Sequence, residues 1–230
     1  MKKSKRPEGC FIVDREETKL KEAGKKTLSV LIALCMVFVF MPQLTPPAAA
    51  MATDRNMSLD LTAMNIGGNG SADDPYEISN ADQLKELSEF VNTQNEIYGD
   101  KCYELTDDIV LNDGLSGSPE QWTPIGADEE SIFTGVFDGN GHTISGLYIN
   151  DTEGELDFAG LFGPVMGGTI KNLGLIDGSI IAGGIATGGI VAFGIGTHIE
   201  NCYNSCTISA SGNNAMAGGI MGVNSEGGLT

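Results

Sequence analysis

Basic residues are scarce over most of this 230-residue chain. Nine of its 13 Lys and Arg residues precede residue 53, and only 4 follow, against 26 of the 31 acidic residues. The part from residue 53 onward therefore has a formal charge of −22. Because nucleic-acid binding depends on Lys and Arg against phosphate, this composition excludes a nucleic-acid partner and favours divalent cations or basic partners.

Groups for catalysis or metal binding are also few. His142 and His198 are the only histidines. The sequence contains neither the Gly-x-Ser-x-Gly motif of serine hydrolases nor a Cys-x-x-Cys or Cys–His spacing suited to zinc. Glycine pairs such as Gly183-Gly184 lack the strand–helix context of nucleotide-binding loops. We therefore predict no catalytic, cofactor-binding or metal-binding residue, and the sequence favours a protein that is not an enzyme.

Three local features are weaker candidates for a site. Asp107-Asp108 is expected at a solvated strand end, because neighbours on a strand point to opposite faces and cannot form a glycosidase pair. The run Asp128-Glu129-Glu130 is expected in a loop, with a weak calcium role as an alternative because carboxylates are hard oxygen ligands. Trp122, the single tryptophan, is expected to pack inside the protein, with sugar stacking as the alternative.

The cysteines that follow the amino-terminal region are Cys102, Cys202 and Cys206. We expect them to be small buried hydrophobic residues, since Cys202 and Cys206 would lie roughly 13 Å apart on one extended strand.

The amino-terminal region has the pattern of an export signal. Lys25-Lys26 precede an apolar run from Leu28 to Met41, whose length suits a signal peptide better than a membrane span of ~20 residues. Small residues then allow cleavage after Ala50 or after Ala52. We predict a signal peptide and leader over residues 1–52 and location outside the cell or on the bacterial cell wall, with an uncleaved anchor as the alternative.

A flexible, glycine-rich lead-in is predicted over residues 53–74, followed by an amino-terminal cap over residues 75–113. In the cap, strand-like Pro75–Ile78 precedes a helix whose apolar residues fall on one face, and Asn80 with Gln83 predicts its amino-terminal cap. The helix is expected to end near residues 92–95, and strand-like segments follow at 102–105 and 109–111.

The most informative feature is an internal repeat in residues 114–230. It consists of Gly160-Leu161-Phe162-Gly163, Gly189-Ile190 and Gly219-Ile220, at offsets of 29 and 30, with Asn172 and Asn201 at matching places in the first two units. An earlier, degenerate unit surrounds Val136-Phe137 and residues 142–144, with Gly146 in the place of the asparagine. The last unit is incomplete.

Equal spacing of matched residues predicts a parallel β-helix. Stacked coils bury one continuous apolar column, and an asparagine repeated in successive coils can form an amide ladder. An antiparallel glycine-rich sandwich is the alternative, but it gives no reason for the equal spacing.

The segments 160–163 and 168–173 resemble the GLUG motif of bacterial surface proteins, some filamentous-haemagglutinin-like and some associated with immunoglobulin A-specific peptidases. Trp122–Gly126 and Phe137–Ile144 are similar to segments that precede such repeats. The resemblance implies a mostly β protein, a right-handed parallel β-helix with an amino-terminal strand–helix–strand cap.

It also implies a secreted or cell-surface scaffold, the amino-terminal part of a larger surface protein, binding a surface glycan or a host or cell-surface protein. The alternatives are a polysaccharide-active lyase or hydrolase and an accessory segment of a secreted peptidase. An open solenoid end further predicts end-to-end self-association.

Overall fold

A computed structural model describes residues 66–212 and 215–225, all within one compact unit, Asn56–Thr230. The predicted signal peptide, the cleavage sites Ala50 and Ala52, and most of the predicted lead-in lie outside these residues. In the described ranges, no helix is long and apolar enough to cross a membrane.

The described chain begins with a strand–helix–strand segment. Its elements are β1 (Tyr76–Ile78), α1 (Ala81–Thr93), α2 (Asn95–Tyr98), β2 (Cys102–Leu105) and β3 (Ile109–Val110). β1 and β2 pair in parallel, with Ile78 opposite Leu105. The short helix α2 was not expected from the sequence.

Helix α1 begins where the sequence predicts it. The Asn80 side chain accepts a hydrogen bond from Gln83 N at 3.0 Å, and Gln83 Oε1 accepts one from Ser79 N at 2.8 Å. The second bond closes the capping pair one residue earlier than a standard capping box. The apolar face of α1 is buried in the core, including Leu84, Leu87 and Val91.

From Val136 onward, the described chain forms three coils of five strands each. Coil 1 comprises β4 (Val136–Asp138), β5 (Thr143–Ser145), β6 (Tyr148–Asp151), β7 (Phe158–Ala159) and β8 (Phe162–Met166). Coil 2 comprises β9 (Thr169–Lys171), β10 (Gly174–Ile176), β11 (Ser179–Ala182), β12 (Ala186–Gly188) and β13 (Val191–Ile195). Coil 3 comprises β14 (His198–Glu200), β15 (Tyr203–Asn204), β16 (Thr207–Ala210), β17 (Met216–Gly218) and β18 (Met221–Ser225).

Corresponding strands of the three coils stack in five sheets. Their orders are β1-β2-β4-β9-β14, β15-β10-β5-β3, β16-β11-β6, β17-β12-β7 and β18-β13-β8. Every pair of named strands is parallel; one such pair joins Ile170 to Ile199. The fold is therefore the predicted mostly β parallel solenoid, and the parallel pairing rules out the antiparallel sandwich.

The register follows the sequence repeat in the later coils. Phe162 pairs with Val191, and Val191 pairs with Met221, so the offsets are 29 and 30. Leu161 and Ile190, one residue before each pair, have 0% exposure. Glycine is needed beside them, because a Cβ on Gly163 would collide with the carbonyl oxygen of Gly126.

The register expected for the degenerate unit is wrong. The structure pairs Phe137 with Ile170, whereas Ile144 pairs with Leu175 in the next sheet. Gly146 therefore does not occupy the place of Asn172.

The reason is a longer turn in coil 1. Four residues separate β4 from β5, whereas two separate β9 from β10. The longer turn uses two positive φ angles, at Asn140 (52°) and Gly141 (86°), whereas the shorter one uses Asn172 (53°). The Asp138–Gly141 segment is therefore a turn with two extra residues, and these shift the following strand when the repeats are aligned by sequence.

An aromatic series joins the amino-terminal segment to the coils. Ring centroids lie 5.6 Å apart for Tyr76–Tyr103, 6.2 Å for Tyr103–Phe133, 5.1 Å for Phe133–Phe162 and 5.3 Å for Phe162–Phe137. These rings belong to a single buried cluster except for the partly buried Tyr76 packed against it. The segment before coil 1 therefore shares its core with the solenoid.

Candidate functional site

Charge divides the described chain into two regions. We define the acidic region as residues 66–157, with 21 Asp and Glu against 2 Lys, and the neutral coils as residues 158–225. The neutral coils contain only Asp177, Glu200 and Lys171 as formally charged residues. A binding surface that depends on charge therefore belongs to the acidic region.

Each lysine among the described residues is already paired with a carboxylate. Lys85 Nζ lies 2.6 Å from Glu120 Oε2, Lys101 Nζ lies 2.9 Å from Asp100 Oδ1, and Lys171 Nζ lies 3.0 Å from Asp138 Oδ2. Exposed pairs of this kind contribute ~0–1 kcal/mol each. The pairing matters more for binding than for stability, because it leaves the described surface with no unpaired lysine for an anionic ligand.

The predicted asparagine positions form a ladder along one corner of the solenoid. Asn201 Nδ2 donates to Asn172 Oδ1 at 3.2 Å, and Asn172 Nδ2 donates to Asp138 Oδ1 at 2.9 Å. Asn172 and Asn201 both have positive φ, at 53° and 52°, which asparagine tolerates better than most residues. The ladder thus has a carboxylate at its first step and amides at the next two.

Asp138 also holds its own turn. Its Oδ1 accepts a hydrogen bond from Asn140 N at 2.8 Å, while Lys171 pairs with Oδ2. Burial raises the pKa of Asp138, but the hydrogen bonds from Asn172 and Asn140 and the charge of Lys171 outweigh it, so the pKa lies below the ordinary value of 3.8. This carboxylate is a structural anion rather than a proton donor.

A polar groove of about 400 Å³ lies between α1 and residues 120–123. Its lining consists of Lys85, Ser88, Glu89, Asn92, Thr93, Glu120, Gln121, Trp122 and Thr123. The volume falls in the range of ligand pockets, which is ~300–1,000 Å³.

Most polar groups of this groove are engaged within the protein. Ser88 Oγ donates to Thr123 O at 2.8 Å, and Asn92 Nδ2 donates to Pro124 O at 3.0 Å. Gln121 exchanges two hydrogen bonds with the backbone of Asn150. These contacts attach α1 to the first layer of the solenoid, so the groove has a structural role.

Trp122 is packed rather than presented to a sugar. It is 5% exposed, and its indole Nε1 donates to Leu161 O at 3.1 Å. The packing expectation is therefore confirmed, and the stacking alternative is wrong, because the ring face is not available at the surface.

The predicted acidic candidates accept hydrogen bonds from the protein itself, and Asp108 does so across two layers. Asp108 Oδ1 accepts hydrogen bonds from Thr143 N at 2.7 Å and Thr143 Oγ1 at 3.1 Å, with His142 Nδ1 at 3.5 Å. The hydrogen bonds from Thr143 lower the pKa of Asp108, and burial only partly opposes them. Asp107 and Asp108 are both exposed, as expected for a solvated strand end.

The loop 128–130 has a similar role. Asp128 Oδ1 accepts hydrogen bonds from Glu130 N and Ser131 N, each at 2.9 Å. Within the described ranges, no group of three or more His, Cys, Asp or Glu side chains is placed to hold a metal ion.

The cysteines are free and partly buried. Cys202 and Cys206 pack against the hydrophobic core, and burial raises the pKa of both thiols. Gly178 N donates to Cys206 Sγ at 3.2 Å. Cys202 and Cys206 thus pack as small hydrophobic residues at the edge of the core, and none of the three cysteines is fully buried in the way the sequence predicted.

No family model matches the chain. Over 110 residues, 47% of this chain, it is 36% identical to a protein of Evansella cellulosilytica named "Putative Gly-rich membrane protein", of which it covers 12%. Over 175 residues, 73% of this chain, it is 34% identical to Halomucin of Haloquadratum walsbyi, of which it covers 2%. The chain thus spans only a small part of the length of these curated relatives.

A solved structure has the same fold. It is described as a "putative immunoglobulin A1 protease" from Bacteroides ovatus, with a TM-score of 0.52 and 20% identity. The match covers 70% of this chain and 57% of the other. At this identity the similarity shows the architecture, a parallel β-solenoid, and no shared activity.

Sequence reasoning missed two parts of this arrangement. The resemblance placed Asp138 and Lys171 only within repeat-related segments, 137–144 and 168–173, and assigned neither a pairing. Their pairing across coils 1 and 2 depends on the register of Phe137 with Ile170, which the sequence alignment placed elsewhere.

Proposed function

We propose that the chain is an exported β-solenoid scaffold of the bacterial cell surface, a GLUG-type repeat segment that binds a partner rather than transforming a substrate. The observation that carries the proposal is the division of charge along one continuous solenoid. A rigid, neutral column supports an acidic region in which both described lysines are paired with carboxylates.

Two further observations support a surface location. The sequence has a leader with small residues at Ala50 and Ala52. A similar segment occurs in a protein named as a membrane protein and another in Halomucin, each of which is much longer than the match. Repeated coils suit such proteins, because each added coil extends the rod without changing its contacts.

The partner class follows from the charge. An acidic surface with no unpaired lysine in the described ranges repels acidic polysaccharide and nucleic acid, and it attracts basic protein surfaces. Neutral glycans also suit this surface, because hydroxyl groups need no counter-charge. We therefore propose a basic cell-surface protein or a neutral surface glycan as the partner.

The test of location is mass spectrometry of the exported protein. Expression of the full chain in a secreting bacterium should give a new amino terminus at residue 51 or residue 53. An intact amino terminus on a membrane-bound product would instead establish the uncleaved anchor.

The test of function is a binding measurement on the exported chain, using panels of neutral glycans, acidic polysaccharides and basic proteins. We expect binding to a neutral glycan or to a basic protein. Binding to the basic protein should weaken with salt and in the double variant E129Q/E130Q, with E200Q in the neutral coils as the matched control. Release of unsaturated oligosaccharide from an acidic polysaccharide, or no binding at all, would overturn the proposal.

A further inference from the structure

We propose that the outer face of the sheet β15-β10-β5-β3, here called the hydroxyl face, binds a neutral glycan, with Tyr203 as the stacking ring and Asp108 as the hydrogen-bond acceptor. The site rests on the proposed function, because it specifies where the neutral glycan named there binds. The hydroxyl face runs along the side of the solenoid, parallel to the stacking axis. A further coil would therefore lengthen this face and leave it open.

The outward side chains of this sheet are hydroxyl-bearing, small or apolar. On the inward side, Ile109, Ile144 and Leu175 have at most 1% exposure. Because neighbours on a strand point to opposite faces, the residues beside these three point outward. In register, one outward row holds Thr143, Gly174 and Tyr203, and the next holds Val110, Ser145 and Ile176. The four strands carry no charged side chain, so the face combines hydroxyl groups with apolar surface.

Tyr203 supplies an exposed aromatic ring on this face. It is 54% exposed, although its neighbour Gly174 is buried. A Cβ on Gly174 would lie 2.5 Å from both Cζ and Oη of Tyr203, so the ring lies over the glycine. The ring thus leans back over coil 2, away from the edge at which a further coil would pair. Its free side is an apolar platform of the kind on which the C–H groups of a pyranose ring pack.

Asp108 supplies a fixed carboxylate beside this ring. Its Oδ1 accepts hydrogen bonds from Thr143 N at 2.7 Å and Thr143 Oγ1 at 3.1 Å. Within the described ranges no hydrogen bond reaches Oδ2, and the side chain is 65% exposed. A carboxylate held through one oxygen presents the other to sugar hydroxyl groups, which it binds in charge-assisted hydrogen bonds. Thr143 and Gly174 lie on adjacent strands ~5 Å apart, so one or two sugar units can contact the ring and the carboxylate together.

The charge around the hydroxyl face favours a neutral glycan over the other candidate partners. The carboxylates Asp107, Asp108 and Asp177 lie beside the ends of its strands. An acidic polysaccharide would meet these carboxylates and no unpaired lysine in the described part of the chain. A basic protein gains little from four uncharged strands, because its lysines and arginines would lose water without meeting a charge there.

The test measures binding of the full exported chain to cellohexaose, mannohexaose and chitohexaose by calorimetry, with hexagalacturonate as the acidic counterpart. We expect a neutral hexasaccharide to bind, with the largest amide shifts in NMR spectra at Thr143, Gly174 and Tyr203, and hexagalacturonate not to bind. Binding of a basic protein but of no neutral hexasaccharide would overturn this site and leave the proposed function standing. Amide shifts confined to other sheets, or tighter binding of hexagalacturonate, would also overturn it.

Variants connect the affinity to these two side chains. Tyr203→Ala removes the platform and should weaken binding roughly tenfold, whereas Tyr203→Phe keeps the ring and should lose much less. Asp108→Asn keeps the shape but removes the charge, so binding should weaken roughly fivefold. Gly174→Ala should also weaken binding, because the added Cβ displaces the ring from its position.

Tyr148→Ala is the matched control. Tyr148 points outward from β6, in a different sheet, because its neighbour Ile149 is buried and pairs with the buried Ile180. We expect this variant to bind the hexasaccharide as the wild type does. A loss as large as that in Tyr203→Ala would overturn the site, as would unchanged affinity in both Tyr203→Ala and Asp108→Asn. Circular dichroism of each variant verifies that the solenoid is folded.

Discussion

The acidic region and the neutral coils are parts of one solenoid that are held together differently. In the neutral coils, backbone ladders and an apolar column connect the layers, as where Ile180 pairs with Ile208, and a few side-chain bonds such as Asn201 to Asn172 add to them. In the acidic region, side chains bond to distant backbone groups, as where Asn95 Nδ2 donates to Ile132 O and Asn112 Nδ2 donates to Gly146 O. Regular coils need few side-chain contacts because each layer repeats the one before it.

The difference in charge between the two regions affects both solubility and the stacking of layers. Carboxylates concentrated in the acidic region keep its surface solvated. Nearly uncharged coils can stack closely, because no charge has to be desolvated between layers. One chain thus combines a region that stays solvated with coils that stack closely on one another.

The strongest test of this comparison is a substitution at the junction between the acidic region and the neutral coils. Phe162 is 0% exposed and contacts the rings of Phe133 and Phe137. Phe162→Ala should lower the free energy of unfolding by about 3–5 kcal/mol, because it leaves a cavity on both sides of the junction. Urea denaturation followed by circular dichroism and by Trp122 fluorescence measures this change.

The matched control is Phe193→Ala in coil 2, whose ring contacts Phe158. It should lower the stability less, since Phe193 retains 6% exposure and does not belong to the core cluster that contains Phe162. Equal losses in the two variants would show that the junction has no special role.

The ladder at the corner of coils 1 and 2 gives the next largest effect. Asn172→Ala should cost about 2–3 kcal/mol, because it removes two side-chain hydrogen bonds and places alanine at a positive φ. Asn172→Gly keeps the backbone angle accessible and should cost less. The difference between their urea midpoints isolates the backbone penalty; if glycine were as harmful as alanine, the positive φ would not matter.

A smaller effect is expected from Asp138 as the pH falls. Its pKa is lowered in the folded state, so its stabilisation is present above its ordinary value of 3.8 and is lost as the pH falls through the folded value. Asp138→Asn should therefore be less stable than the wild type at neutral pH, with a difference that shrinks in acid. Lys171→Met should keep part of the pH dependence, since the hydrogen bonds from Asn172 and Asn140 remain.

Thermal unfolding between pH 2 and pH 7, at constant ionic strength, measures this dependence. Parallel curves for the wild type and Asp138→Asn over the whole range would contradict the assignment.

The smallest effect concerns repulsion within the acidic region. Glu129 and Glu130 are exposed, and replacing both with glutamine should raise stability by a few tenths of a kcal/mol at low salt. At about 1 M salt the gain should vanish, because screening acts over ~3 Å there. Glu200→Gln, in the neutral coils, should show no such gain; a gain there would mean that charge repulsion is not confined to the acidic region.

Much of the later coils could be predicted from the sequence. Stacked layers place similar residues at equal spacing, so Leu161 and Ile190 indicated both the fold and the register. Helix α1 was predictable because its cap and apolar face are local features, set by Asn80 and the residues that follow it.

The first coil was harder to predict. Its turn at Asp138–Gly141 is two residues longer than the turn at Asn172, and this shift hides the equivalence of Phe137 and Ile170. Spacing alone cannot distinguish a longer turn from a displaced strand, because both change the offset equally.

The sequence by itself determined the period of the coils, their apolar column and the excess of acid over base. Only the tertiary structure decided which groups meet across that period. Lys85 pairs with Glu120 because α1 packs on the first layer, and Asp138, Asn172 and Asn201 align because three turns stack at one corner. Such contacts depend on how layers and turns are superposed in space, and the order of residues along the chain does not encode that superposition locally.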